Sequence, residues 1–243
     1  MSYENILILT AMDQELKDVL KEASFKKSFF SKAELELYSN AEKGQTIHIV
    51  KSGIGPINAA HALSLMIEKY PIDLIILLGL GGSIEEGFGL SDVCIAEYIV
   101  QHDAICSYDS KIEQMACGEM HLSLVPNERP DIKISTDKPF CDLIHEHLET
   151  EGYQVRRGGI LSGSEFNASP KRKKEMRERF PGALMVEMEA CSVGYLAKKY
   201  SIPFCVVKTV ADTLESRPSE EYVDFLDSSS KKCASIFNLL RAL

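Results

Sequence analysis

Short apolar stretches recur along the 243-residue chain at Ile6–Thr10, Ile47–Val50, Leu74–Leu80, Val93–Val100, Gly159–Ser162, Leu184–Val186 and Phe204–Val210. They are rich in Val and Ile, and several are apolar on successive positions instead of alternating. That is the pattern of strands covered on both faces. Between them, apolar residues return every three or four positions and predict helices. Asp13–Ala23 carries Leu16, Val19 and Leu20; Ile57–Tyr70 carries Ala60, Leu63 and Ile67. Asp142–Glu151 and Lys171–Phe180 are charged and read as surface helices, and Glu189–Tyr200 is richly apolar. Tyr222–Leu243 lines up Phe225, Leu226, Cys233, Ile236, Phe237 and Leu240. Strands alternating with helices predict an α/β fold, a central mixed β-sheet flanked by helices, in a single domain over residues 1–243. The polar stretch Ser107–Asp137, with Met115, Met120, Leu122 and Leu124, lacks periodicity and reads as a long loop serving a site or an interface.

Composition narrows the partners. Lys and Arg total 27 against 36 Asp and Glu, a net charge of −9. A nucleic-acid or anionic-membrane binder needs a basic surface, so neither is expected. The seven Cys are scattered, without a C-x-x-C pair, and read as reduced thiols. The six His show no zinc spacing, so no metal site is expected. The N-terminus has no basic start, and no apolar run approaches the ~20 residues of a membrane span. The expected location is the cytoplasm. Trp is absent, which leaves aromatic stacking to Phe or Tyr.

Familiar nucleotide and nucleophile motifs fail. There is no G-x-x-x-x-G-K-[ST] loop. Gly79-Leu80-Gly81-Gly82-Ser83-Ile84 puts Ile84 where a dinucleotide fingerprint needs its third Gly, and Gly159–Gly163 has the wrong spacing for a nucleophile elbow. What remains are small residues and carboxylates at strand ends, where open α/β sheets bind ligands. After the first strand come Ala11, Met12, Asp13, Gln14 and Glu15. Later strand ends carry Ser52-Gly53-Ile54-Gly55, Gly79–Ser83, Val186-Glu187-Met188-Glu189-Ala190 and Val210-Ala211-Asp212-Thr213. Each carboxylate also has an ordinary reading. Glu15 suits the first turn of a helix, Asp212 suits a cap, and Glu187 and Glu189 suit the end of an edge strand. In extended chain the last two would share a face.

Taken together, A-M-D-Q-E (11–15), S-G-I-G-P-I-N-A-A (52–60), G-L-G-G-S-I (79–84), H-D-A (102–104), S-G-S-E-F (162–166), V-E-M-E-A (186–190) and K-T-V-A-D (208–212) resemble the nucleoside phosphorylase superfamily. The branch they resemble is that of the 5′-methylthioadenosine/S-adenosylhomocysteine nucleosidases, over nearly the whole chain. The resemblance implies a nucleoside phosphorylase-like fold and hydrolysis of a purine nucleoside's N-glycosidic bond through an oxocarbenium-like transition state. It implies that Asp212 is the general acid that protonates the purine at N7 and that Glu15 deprotonates the attacking water. Glu189 would bind the ribose hydroxyls, with Glu187 beside it and Met188 under the sugar. Phe166 would stack on the base, and Met12, Ile54 and Tyr222 would line the pocket for the 5′-substituent. No cofactor is implied. The expected partner is a small purine nucleoside, and the expected assembly is a homodimer whose second copy covers part of the site, with Tyr108 a candidate contact.

This chain departs from the branch in ways that matter. Ala211 replaces the Ser usual before the acid, and Lys208 stands where Arg is familiar. The turn G-L-G-G-S replaces the commoner G-S-A-G-G. Asn167 replaces an apolar residue after Phe166, and its side chain offers both a donor and an acceptor, enough to read a 6-oxo base. A phosphorylase needs cations beside the sugar. The first-strand loop offers Asp13 and Glu15, and no Arg precedes Arg129, so water is the expected nucleophile. A phosphorylase and a futalosine-type hydrolase are the alternatives within the class; a nucleoside-binding protein without catalysis is the alternative outside it.

Overall fold

The computed structural model describes residues 3–30, 32–119, 130–215 and 222–243, the side chains of 222–228 excepted. The apolar runs form β1 (Asn5–Thr10), β4 (Gln45–Lys51), β5 (Leu74–Ser83), β6 (Val93–Gln101), β10 (Val155–Ser162), β11 (Ala183–Glu187) and β12 (Phe204–Asp212). The helices are α1 (Asp13–Leu16), α2 (Val19–Glu22), α3 (Pro56–Lys69), α4 (Lys138–Thr150), α5 (Pro170–Arg179), α6 (Ala190–Tyr200) and α7 (Tyr222–Ala242). The predicted helix over 13–23 is thus two short pieces. Four starts follow standard chemistry. Pro56 follows Gly55 into α3; Asp137 accepts the Phe140 N–H at 2.9 Å to cap α4; Ser169 caps α5 with Pro170 at its first position; and the Glu187 carboxylate takes the Ala190 N–H at 2.9 Å at the head of α6.

The sheet runs β11-β10-β6-β12-β5-β1-β4, continued by β3 (Leu35–Glu42) and β2 (Lys26–Phe30). Strands β4, β1, β5 and β12 are parallel neighbours, so their carboxyl ends share one rim. β12 runs antiparallel to β6, which makes the sheet mixed, as expected. β11 also pairs with the far end of β5, through Met185–Ser83 and Val186–Gly82. The strands β5, β12, β6, β10 and β11 therefore close on themselves. The central strands are apolar on both faces because helices cover both. In β1, Leu7 and Leu9 join the layer holding α3 and α6, while Ile6 and Ile8 join the layer of α1, α2, α4 and α7.

Three features of the fold differ from the sequence pattern. The β2–β3 hairpin has no mark in the sequence pattern; its outer strand reads K-K-S-F-F and is largely exposed, so no apolar alternation signals it. The glycines after Leu78 are not a turn, because β5 continues through them to Ser83. The segment 107–137 is not wholly loop: it holds the end of the hairpin β7 (Ile105–Ser107) and β8 (Ile112–Gln114), then β9 (Lys133–Ser135), which pairs with β6. Its Met120, Leu122 and Leu124 lie outside the described residues.

Candidate active site

At the shared rim lies a cavity of about 650 Å³, its open mouth included, lined by Ala11, Met12, Glu15, Ile54, Leu80, Gly81, Gly82, Glu165, Phe166, Asn167, Val186, Glu187, Met188, Glu189, Ala211 and Asp212. That is a ligand-sized volume. Every residue proposed for the site from sequence lines it except Tyr222, which opens α7 and whose side chain lies outside the described residues.

Glu15 is 1% exposed. Its carboxylate accepts the N–H groups of Ala11 at 2.9 Å, Met12 at 3.0 Å and Leu80 at 3.2 Å. Burial pushes its pKa up to about 7 against the pull of Lys208, which suits a base working near neutrality. The first-turn reading of Glu15 is also true, since the residue sits in the four-residue α1.

Glu187 and Glu189 meet differently from the shared strand face expected of them. β11 ends at Glu187, and Glu189 has already turned to helical backbone (φ −118°, ψ −34°) at the head of α6. β11 is paired on both sides, so neither carboxylate faces solvent as an edge strand's would. Glu187 accepts the N–H groups of Glu189 and Ala190, and so anchors the helix start as much as it lines the cavity. Glu189 accepts the Gly55 N–H at 2.9 Å.

Lys208 joins the two. Its ammonium lies 2.9 Å from Glu187 and 2.9 Å from Glu189. Burial opposes its charge, but Glu187, Glu189 and Glu15 outweigh that and hold its pKa well above the lysine norm. Burial raises the Glu189 pKa despite Lys208. At Glu187 burial is overcome by Lys208 and its hydrogen bonds, and the pKa falls.

Asp212 ends β12 just past an irregularity in its pairing with β5, where Val210 faces Gly81 and Asp212 faces Gly82. Such a bulge re-aims a side chain, here toward the cavity. Burial raises the Asp212 pKa, and a hydrogen bond from Lys173 pulls the other way. The charge of α5 predicts a surface helix, yet Lys173 on it is 0% exposed, and Met176 on the same face is also buried.

The glycines of β5 make room for these groups. A Cβ at Gly79 would lie 2.7 Å from Glu15 Oε1, and one at Gly82 would lie 2.9 Å from Asp212 Oδ1. The H-D-A motif braces the aromatic loop from behind. Asp103 accepts the Ser164 N–H at 2.7 Å, and a Cβ at Gly163 would meet His102 at 2.6 Å. Phe166 stands at the mouth, 66% exposed, and Ile54 is 55% exposed.

Asn167 lines the cavity next to Phe166. Its side-chain amide donates to Met176 Sδ at 3.1 Å and accepts the Ser169 N–H at 3.4 Å. One contact on each side leaves a second N–H and a second lone pair of the amide at the wall of the cavity it lines.

The sequence is 28% identical over 223 residues, 92% of each chain, to a 5′-methylthioadenosine/S-adenosylhomocysteine nucleosidase of Staphylococcus aureus. The fold is similar to that of the Neisseria meningitidis nucleosidase of the same name, solved with methylthio-immucillin-A, with a TM-score of 0.82 at 25% identity over 99% of this chain and 100% of that one. It is also similar to the futalosine hydrolase of Helicobacter pylori, with a TM-score of 0.80 at 22% identity over 98% and 97% of the two chains. The sequence pattern of the phosphorylase superfamily matches residues 5–243, and the chain belongs to that superfamily.

Proposed function

We propose that the protein is a purine nucleoside N-ribosyl hydrolase acting on 5′-methylthioadenosine, S-adenosylhomocysteine or a closely related 5′-modified nucleoside. The observation that carries this reading is the charge of the cavity wall. Five carboxylates line it (Glu15, Glu165, Glu187, Glu189 and Asp212), and no Lys or Arg is among the lining residues. The neighbouring cations are committed: Lys208 to Glu187 and Glu189, Lys173 to Asp212, and Lys51 to Asp13. A phosphate dianion would meet repulsion there, whereas a ribosyl cation developing in the transition state would be stabilised.

The chemistry follows from the groups present. Asp212, with its pKa raised by burial, delivers a proton to N7 so that the base leaves neutral. The C1′–N9 electron pair goes to the base. Water attacks C1′ and gives its proton to Glu15. Glu189 holds the ribose hydroxyls, Met188 packs under the sugar, and Phe166 stacks on the base. Met12 and Ile54 receive the apolar 5′-group, with Tyr222 assigned to the same pocket. Asn167, which lines the cavity beside Phe166, is assigned to the edge of the base. A homodimer is the proposed working unit, its second copy closing the open mouth.

The test is to incubate the protein with 5′-methylthioadenosine, S-adenosylhomocysteine and a 6-oxopurine nucleoside, with and without phosphate, and to follow free base by chromatography. Adenine release without phosphate is expected. Release only with phosphate would reject hydrolysis, and tight binding with no release would make the chain a binding protein. Asp212→Asn is expected to fold and to lose about 10²–10⁴ in turnover.

A further inference from the structure

Lys173 stands in the run Lys171-Arg172-Lys173-Lys174 and is nonetheless fully buried. Taking an ammonium out of water is costly unless it is paired and hydrogen-bonded. Its partners are Asp212 Oδ2 and, at 2.6 Å, the main-chain carbonyl of Thr213. Asp212 ends β12 and Thr213 follows it directly. α5 is held in the register that allows this by the Ser169 cap and by Met176, which shares the buried face and contacts Asn167. Ala211, the residue before the acid, has no hydroxyl to offer. Asp212 lines the cavity, and Oδ2 is the oxygen that Lys173 takes, with no hydrogen bond from Lys173 to Oδ1.

We propose that Lys173 is a positioning residue for the general acid: it fixes Asp212 by one oxygen, leaves the other for the purine, and stabilises the carboxylate that remains once the proton has passed to N7. The proposal rests on the reading of Asp212 as the acid. The proton account is complete without Lys173 losing a proton. Asp212 gives its proton to the base and Glu15 gains one from water. The other charged groups around the acid do not substitute for it. Glu15 on α1, Glu187 at the end of β11, Glu189 at the head of α6 and Glu165 before α5 are all acidic. Lys208, four residues back on β12, is bound to Glu187 and Glu189.

The sign is definite. An ammonium favours the charged form of its partner, so removing it leaves burial alone and moves the Asp212 pKa upward. In Lys173→Met and Lys173→Gln, the limb of the pH profile of kcat/KM set by Asp212 should rise by about one unit while the limb set by Glu15 stays. At neutral pH kcat should fall about 10- to 100-fold, with KM within about threefold. Lys173→Arg, which keeps the charge, should recover part of the loss. Lys173→Gln carries the comparison if the methionine variant fails to fold, because it keeps a donor for the Thr213 carbonyl. A cooperatively melting variant with unchanged pH limbs and kcat within about twofold would overturn the proposal, as would equal recovery by Gln and Arg. Failure of the underlying function shows separately: the unaltered enzyme would release no base, or Asp212→Asn would keep its turnover.

Discussion

Glu15 couples activity to stability in a way that pH can expose. Its pKa is about 7 in the folded protein against an ordinary 4.5. A carboxyl raised on folding binds its proton more tightly in the native state. Its stabilising contribution is therefore present below pH 4.5 and lost as pH rises through about 7. Between pH 5 and 8 that loss is on the order of 2 kcal/mol. Glu15→Gln cannot titrate, so its stability relative to the parent should improve by about that amount over this range while turnover collapses. Denaturant titrations at the two pH values check this, and parallel pH dependence in both proteins would reject it. The buried lysines show what can be read from residues alone. Lys208 sits inside the apolar run F-C-V-V-K-T-V, where a charge needs partners, and that signal points straight to nearby carboxylates. Lys173 carries no such signal, because three neighbouring cations make the helix look solvated; only the spacing Lys173–Met176–Phe180 marks its inner face.

At the level of elements, the site depends on how two strands end. β5 runs on past Leu78 because its glycines let β11 close against it while Glu15 and Asp212 crowd its surface. The motif G-L-G-G-S was visible in the chain, but its role was not, since a glycine's need for space is set by residues far away in sequence. The central strands were legible because burial on both faces demands continuous apolar runs. The β2 edge was not, because an edge strand is free to be charged. Gly82→Ala tests the crowding. The new Cβ would sit 2.9 Å from Asp212 Oδ1 and 3.2 Å from Oδ2, displacing the acid without straining the backbone. Turnover should drop about tenfold or more with little change in melting temperature. Normal turnover in the alanine variant would mean that the acid does not need this position.

For the whole molecule, the open mouth poses the remaining question. A reactive ribosyl cation calls for a site shielded from bulk water, yet Phe166 is 66% exposed and Ile54 55% exposed in the single chain. Ile57, one turn into the same helix start, is 83% exposed, and Ile105, Tyr108 and Ile112 on the β7–β8 hairpin are also uncovered. α6 packs against α3, and Cys117 and Gly118, just after the hairpin, lie against Cys191 and Tyr195 of α6. The uncovered apolar side chains of α3 and of the hairpin thus flank one helix. A second copy lying over them would bury those residues and shield the mouth together. Light scattering on the purified protein at micromolar concentration should give the mass of two chains. Ile57→Asp should shift that mass toward one chain and raise KM with it, because an open mouth binds the 5′-group less well. A monomeric parent protein with full activity would show that the chain shields its reaction alone.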